Sequence, residues 1–234
     1  MRISVGIPIY DGNVQFQSVL ALLAETRLAS EQGHKLTVRF LPGCCNLAKG
    51  RNQLVKEFLA SDDERLVFLD GDVTFQPGDL LKIAKHPVDF VGGCYRYKRP
   101  NENYPVGWLG GGELWADENG LLEVAMIPTG FLSLSRKVFD RFREKHPNRE
   151  YVIEGNRTYC YFQIPYRDGH LYTEDAYFCR EWRELGGKIF LDPDLLLVHW
   201  DGKIPYIGHI GNFCRNQADI QAKAKALNEK GTTQ

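Results

Sequence analysis

The chain has 234 residues, 43% of them hydrophobic, with 29 basic residues against 30 acidic ones. That is enough apolar material for one sizeable globular domain, and the composition is not that of a disordered chain. A formal net charge of -1 offers no basic field for a phosphate backbone, so no nucleic-acid partner is expected.

No window approaches the roughly 20 uninterrupted apolar residues that a membrane helix requires, and Met1-Arg2-Ile3-Ser4-Val5-Gly6-Ile7 carries no apolar signal core. No membrane span is predicted, and the expected location is cytoplasmic. The six cysteines, at 44, 45, 94, 160, 179 and 214, form no Cys-x-x-Cys pair and read as reduced and structural.

Ile3 to Pro8 is a short β-branched run closed by Pro8 and the turn signal Asp11-Gly12, which predicts a buried strand. An amphipathic helix follows from Asn13 to about Gln32, with Val19, Leu20, Leu22 and Leu23 as its stripe and Gly33 as its C-cap glycine. Leu36 to Leu41 alternates with period two and predicts a second strand. Asn46 is placed to cap a helix running to about Ala60, striped by Leu47, Leu54, Val55 and Phe58. A third, fully buried strand is predicted over Arg65 to Leu69, a short helix over Asp79 to Lys85 and a fourth strand over Val88 to Gly92. Such alternation is the grammar of a parallel sheet covered on both faces.

The second half reads as mixed. Gly110-Gly111-Gly112 interrupts it, and Asp117-Glu118-Asn119-Gly120 is a hairpin turn signal between Glu113-Leu114-Trp115 and Leu121 to Ile127. Helices are predicted over Lys137 to Lys145 and Thr173 to Leu185, and strands over Lys188 to Leu191 and Leu195 to His199. Without repeats or a linker, one domain is expected over 1–212, with 213–234 as a peripheral helix and tail.

In a parallel sheet, ligands bind beyond the carboxyl ends of the strands, which directs attention to three edges: Pro8-Ile9-Tyr10-Asp11, Asp70-Gly71-Asp72 and His199-Trp200-Asp201-Gly202. Asp70 ends an apolar run and Gly71 allows close backbone approach, whereas Asp192-Pro193-Asp194 reads as an ordinary turn. Two carboxylates helped by an imidazole, with His199 the best placed, suit Mn²⁺ or Mg²⁺ that keeps positions open for diphosphate oxygens. Thr173-Glu174-Asp175 opens a helix. Capping and dipole compensation account for those acids, and so does a general base for a substrate hydroxyl.

Taken in order, Ile7-Pro8-Ile9-Tyr10-Asp11, Gly50-Arg51-Asn52, Val67-Phe68-Leu69-Asp70-Gly71-Asp72-Val73, Pro128-Thr129-Gly130-Phe131, Thr173-Glu174-Asp175 and Leu197-Val198-His199 resemble a GT-A-fold glycosyltransferase of the family 2-like group, of the small viral and bacterial type, from about residue 3 to 203. The resemblance implies an α/β fold with a mixed, mostly parallel central sheet flanked by helices on both faces. It implies that Asp70 and Asp72, the DxD motif with Gly71 between them, hold the metal and donor diphosphate, with His199 joining the metal. It implies that Pro8, Tyr10 and Asp11 cradle the base and ribose and that Arg51 and Asn52 face the nucleotide. Asp175 matches the catalytic base of inverting members, with Glu174 as its fallback.

The sequence departs from the family after the second strand, where Leu41-Pro42-Gly43-Cys44-Cys45-Asn46 lacks the acidic residue that often binds the base. The Gln-x-x-Arg-Trp signature of processive synthases is also missing, which implies transfer of a single sugar. Thr129, Gly130 and Phe131, with Trp108 and Trp115, read either as the acceptor side or as core packing. Arg96, Lys98 and Arg99 read as a solvated loop or as phosphate contacts, and His209 as a loop residue or a second ligand. The expected activity is metal-dependent, inverting transfer of one sugar from a nucleoside-diphosphate sugar, UDP-linked, to a hydroxyl of a glycan or other acceptor. The alternatives are a retaining enzyme, nucleotidyl transfer, or a catalytically silent carbohydrate- or nucleotide-binding protein of the same fold.

Overall fold

The computed structural model describes residues 1–110, 114–153 and 155–218. In chain order the elements of the first half are β1 (Arg2–Pro8), α1 (Phe16–Glu31), β2 (Lys35–Leu41), α2 (Leu47–Leu59), β3 (Arg65–Leu69), β4 (Val73–Thr74), α3 (Asp79–Lys85), β5 (Phe90–Gly92) and β6 (Leu122–Val124). They continue with β7 (Phe131–Ser135), α4 (Arg136–Lys145), β8 (Glu150–Ile153), β9 (Asn156–Tyr159), β10 (Tyr166–Arg167), β11 (His170–Leu171), α5 (Glu174–Glu184), β12 (Ile189–Leu191), β13 (Val198–Asp201) and β14 (Ile204–Ile207). The first half follows the predicted alternation. Asn46 accepts from Lys49 N at the start of α2, and Gly33 takes a positive φ just past α1.

Seven strands form the main sheet in the order β2-β1-β3-β7-β5-β12-β6. Strands β1, β2, β3, β5 and β12 run one way, and β7 and β6 run the other. This is a mixed, mostly parallel central sheet with helices on both faces, as expected from the sequence. The period-two alternation of β3 sorts the core. Leu66 and Phe68 join Leu54 and Phe58 of α2, Phe139 and Phe142 of α4, and Phe178 and Trp182 of α5 on one face. Val67 and Leu69 join Ala21 and Leu22 of α1 and Leu80 and Ile83 of α3 on the other. Each of the large side chains so buried contributes roughly 1.5–3 kcal/mol.

Several expectations are corrected. Of the predicted α1 stripe only Leu22 is buried; Val19, Leu20 and Leu23 face outward, because small and polar Ser18, Ala21, Glu25 and Ala29 let the helix lie close on the sheet. Leu47 in α2 is likewise exposed. Leu195 and Leu197 are buried without forming a strand, since their side chains pack into the core while the ladder begins at Val198. That ladder belongs to a separate sheet, β14-β13-β4. The turn at Asp117 to Gly120 forms, with Asp117 N donating to Leu121 O at 2.8 Å, but among the described residues its arms pair through a single Ala116–Leu122 bridge. Glu113 of the expected first arm lies outside the described residues, and β6 pairs with β12.

Helix covers 210–218, anchored by buried Ile210 and by Phe213, whose ring lies 5.3 Å from that of Tyr104. The rest of the predicted tail, 219–234, lies outside the described residues. All six cysteines are free thiols. Among the described residues no helix is long and apolar enough to cross a membrane.

Candidate functional site

The parallel strands β1, β3 and β5 end on one edge, and the residues just beyond them meet there. Beyond β3 the chain turns at once: Asp70 N donates to Gly130 O at 3.0 Å and Val73 N to Asp70 O at 3.0 Å. Gln15 N, from the segment after β1, donates to Gly71 O at 2.8 Å. A Cβ at Gly71 would lie 3.6 Å from Asn13 O, an ordinary contact, so space alone does not demand glycine here. Trp200 N of β13 donates to Asp72 O at 2.9 Å from the other side.

That ladder, with His199 opposite Val73, brings the imidazole to the triplet. His199 Nε2 lies 3.5 Å from Asp72 Oδ2, and its Nδ1 donates to Arg96 O at 3.0 Å, a carbonyl that can only accept. The ring is held by this backbone contact with Nε2 aimed at the carboxylate. Lys98 Nζ also reaches Asp72 Oδ2, at 2.6 Å. Burial pushes the Asp72 carboxyl up, yet the hydrogen bonds from His199 and Lys98 outweigh it and hold the group at about 2.

Asp70 is oriented differently. Its Oδ1 takes Arg51 Nη2 at 2.9 Å and its Oδ2 takes the Tyr95 hydroxyl at 3.3 Å. Burial raises its pKa against the pull of Arg51. Gly130 closes the cradle: a Cβ there would lie 2.5 Å from Asp70 Oδ2 and would strike the Tyr95 hydroxyl. For a divalent cation the donor chemistry fits at Asp72 Oδ2 and His199 Nε2, while among the described residues no three His, Cys, Asp or Glu side chains converge on one point.

Arg51 and Asn52, expected to face the nucleotide, are only 1% and 2% exposed. Arg51 Nη1 binds Glu174 Oε1 at 2.9 Å, so one guanidinium joins the end of β3 to the start of α5. Burial works against its charge, but Asp70 and Glu174 more than offset this and raise its pKa; among the described residues its buried Nε has no hydrogen-bond partner. Asn52 brackets α2 to the segment after β9: its Oδ1 accepts from Tyr161 N and Phe162 N, and its Nδ2 donates to Phe162 O. It also borders a cavity of about 490 Å³ lined by Lys49, Tyr151, Cys160 and Gln163, which shares no residue with the acidic cluster.

Glu174 is buried, with its pKa raised by desolvation. Asp175 is half-buried; its Oδ1 accepts from the Thr173 hydroxyl and from Ala176 N at 2.7 Å, and among the described residues Oδ2 has no partner. Thr173 therefore orients the acid instead of capping the helix through its side chain. On the nucleotide side, Pro8 is buried in β1, Tyr10 is 73% exposed and Asp11 accepts from Asn13 N at 3.1 Å. Phe131 and Thr129 belong to the core, whereas Trp115 is 78% exposed.

Tyr95 carries no sequence signal of its own, and Lys98 reads as a solvated loop residue or a phosphate contact. Both follow β5, so the rule that ligands gather beyond strand carboxyl ends, applied at Gly92, points to them.

No family model matches the chain, and no curated protein matches it. Among solved structures, one of Drosophila β-1,4-galactosyltransferase 7 with manganese, UDP-galactose and xylobiose aligns at 15% identity and TM-score 0.48, covering 89% of this chain and 70% of that one. One of S. aureus TarS aligns at 13% identity and TM-score 0.44, covering 82% and 58%. A glycosyltransferase involved in glycosylating the major capsid of PBCV-1 aligns at 10% identity and TM-score 0.35, covering 63% and 69%.

Proposed function

We propose that the chain is a glycosyltransferase with one catalytic domain over 1–212, which moves a single sugar from a nucleoside-diphosphate donor, UDP-linked, to an acceptor hydroxyl with inversion. The observation that carries the reading is the ligature made by Arg51. It couples Asp70 of the donor-side triplet to Glu174, next to Asp175, so two sites with separate tasks are held in one frame.

In this reading Asp72 and His199 hold Mn²⁺ or Mg²⁺, with Asp70 supporting the turn that presents them. The ion supplies Lewis-acid stabilisation of the departing diphosphate. Tyr10 and Asp11 stand at the open edge of β1 to receive the base and ribose. Asp175, its Oδ1 held by Thr173 and Ala176, uses Oδ2 to take the proton of the acceptor hydroxyl as that oxygen attacks the sugar carbon. Glu174, spent on Arg51, positions the helix.

Isothermal titration with UDP in the presence and absence of Mn²⁺, on the wild type and Asp72→Ala, tests the donor site. Metal-dependent binding lost in the variant supports it, and binding indifferent to both refutes it. Release of UDP from a UDP-sugar panel with candidate acceptors tests the enzyme, since a silent binding protein of this fold would bind without turnover. Anomeric analysis of the product separates inversion from retention.

A further inference from the structure

Resting on that reading, we infer that Lys98 is a resident counter-cation of the donor site, which neutralises Asp72 before the donor arrives and passes to the donor diphosphate when the metal takes its place.

The segment carrying it is anchored. Arg96 donates through Nη1 to Ile207 O at 3.1 Å and through Nη2 to Arg99 O at 2.9 Å and Pro100 O at 3.0 Å, while its own carbonyl accepts from His199. Tyr97 N donates to Asn103 O at 2.9 Å, closing the loop, and the Tyr95 ring lies 4.6 Å from that of His199. This backbone is thus tied to the same β13–β14 hairpin that delivers His199. The Lys98 side chain, 31% exposed on a flexible four-carbon stem, can change partners while this backbone stays in place.

The electrostatics then force an exchange. Lys98 Nζ sits 2.6 Å from the carboxylate oxygen that also faces His199 Nε2. A divalent ion bound to that oxygen and the imidazole would stand within a few ångströms of the ammonium, and the single carboxylate they share offsets only part of the repulsion between them. A diphosphate bound to the ion adds the missing negative charge. Lys98 therefore opposes metal binding while the site lacks donor and favours it once donor is present.

The test compares wild type, Lys98→Gln and Lys98→Arg, with folding checked by thermal unfolding. UDP, with GDP in parallel, is titrated calorimetrically in EDTA and then with Mn²⁺, and nucleotide-free Mn²⁺ binding is followed by electron paramagnetic resonance. Lys98→Gln is expected to weaken nucleotide binding in saturating Mn²⁺ by about tenfold or more while tightening nucleotide-free Mn²⁺ binding, and Lys98→Arg to stay close to wild type. A Gln variant that binds nucleotide in saturating Mn²⁺ as wild type does, or nucleotide-free Mn²⁺ no more tightly, overturns the inference and leaves the donor site standing. A wild type that binds neither nucleotide under either condition brings down the donor site and the inference together.

Discussion

His199 Nε2 faces Asp72 Oδ2 at 3.5 Å because β13 pairs antiparallel with β4, the two-residue strand that follows the acidic triplet. The imidazole is held from behind by Arg96 O. His199→Ala is expected to weaken Mn²⁺ binding in the presence of UDP by about 10- to 100-fold, the usual cost of disturbing a ligand or its support. Unchanged affinity by calorimetry would remove His199 from the metal site.

Asp175 and Glu174 are neighbours with different work. Asp175→Asn is expected to lower turnover by about 10²–10⁴-fold with UDP affinity intact, since the amide keeps the shape and loses the base. Glu174→Gln weakens a buried ion pair, so its effect appears in urea unfolding. Equal loss of kcat in both variants would contradict this division.

Arg51 is the buried cation of the frame. Arg51→Met leaves Asp70 and Glu174 facing each other without it, and a loss of about 3–5 kcal/mol is expected in denaturant titration. Arg51→Lys recovers only part of it, because one ammonium does not reproduce a fork that binds two carboxylates 2.9 Å from separate nitrogens.

Gly130 has no room for a methyl group beside Asp70 and Tyr95. Gly130→Ala is expected to cost roughly 1–3 kcal/mol and to weaken nucleotide binding by displacing Asp70. Thermal unfolding and UDP titration read the two effects separately.

Asp192, 2% exposed, binds Lys82 at 2.9 Å and His86 at 3.0 Å. Burial pushes its carboxyl up, but hydrogen bonds from His86 and Lys82 prevail and hold it below the ordinary value. Because the folded pKa is depressed, the stabilisation is complete at neutral pH. It is lost as pH falls below about 3.9, the ordinary aspartate value, through the folded one. Asp192→Asn is expected to be less stable at pH 7 by about 1–3 kcal/mol, with the gap narrowing toward pH 3 in urea midpoints.

The first half of the chain was legible because each element there is announced locally. Asn46 caps α2, Gly33 ends α1, and the apolar run Leu66 to Leu69 has the length of a buried strand. The α1 stripe misled because hydrophobicity ranks Leu20 and Leu23 above Ala21 and Ser18, whereas close packing on a sheet rewards small side chains. Strand β7 went unread: Phe131 to Ser135 carries no mark of direction, and its antiparallel place between β3 and β5 depends on both partners. Asp70 and Asp72 were legible from their position after an apolar run, and Glu174 and Asp175 from a helix start, but the partners of those acids were not.

The sequence by itself determined the alternation of elements, the sheet edge at which Asp70, Gly71 and Asp72 emerge, and the helix start that carries Glu174 and Asp175. These follow from local capping and periodicity, which act over a few residues. Only the tertiary structure decided that Arg51 turns inward to join two carboxylates, that Lys98 reaches Asp72, and that His199 arrives on a separate small sheet. Charges buried at long sequence separation choose partners by the distance and dielectric that folding creates, and neither is written in the order of residues.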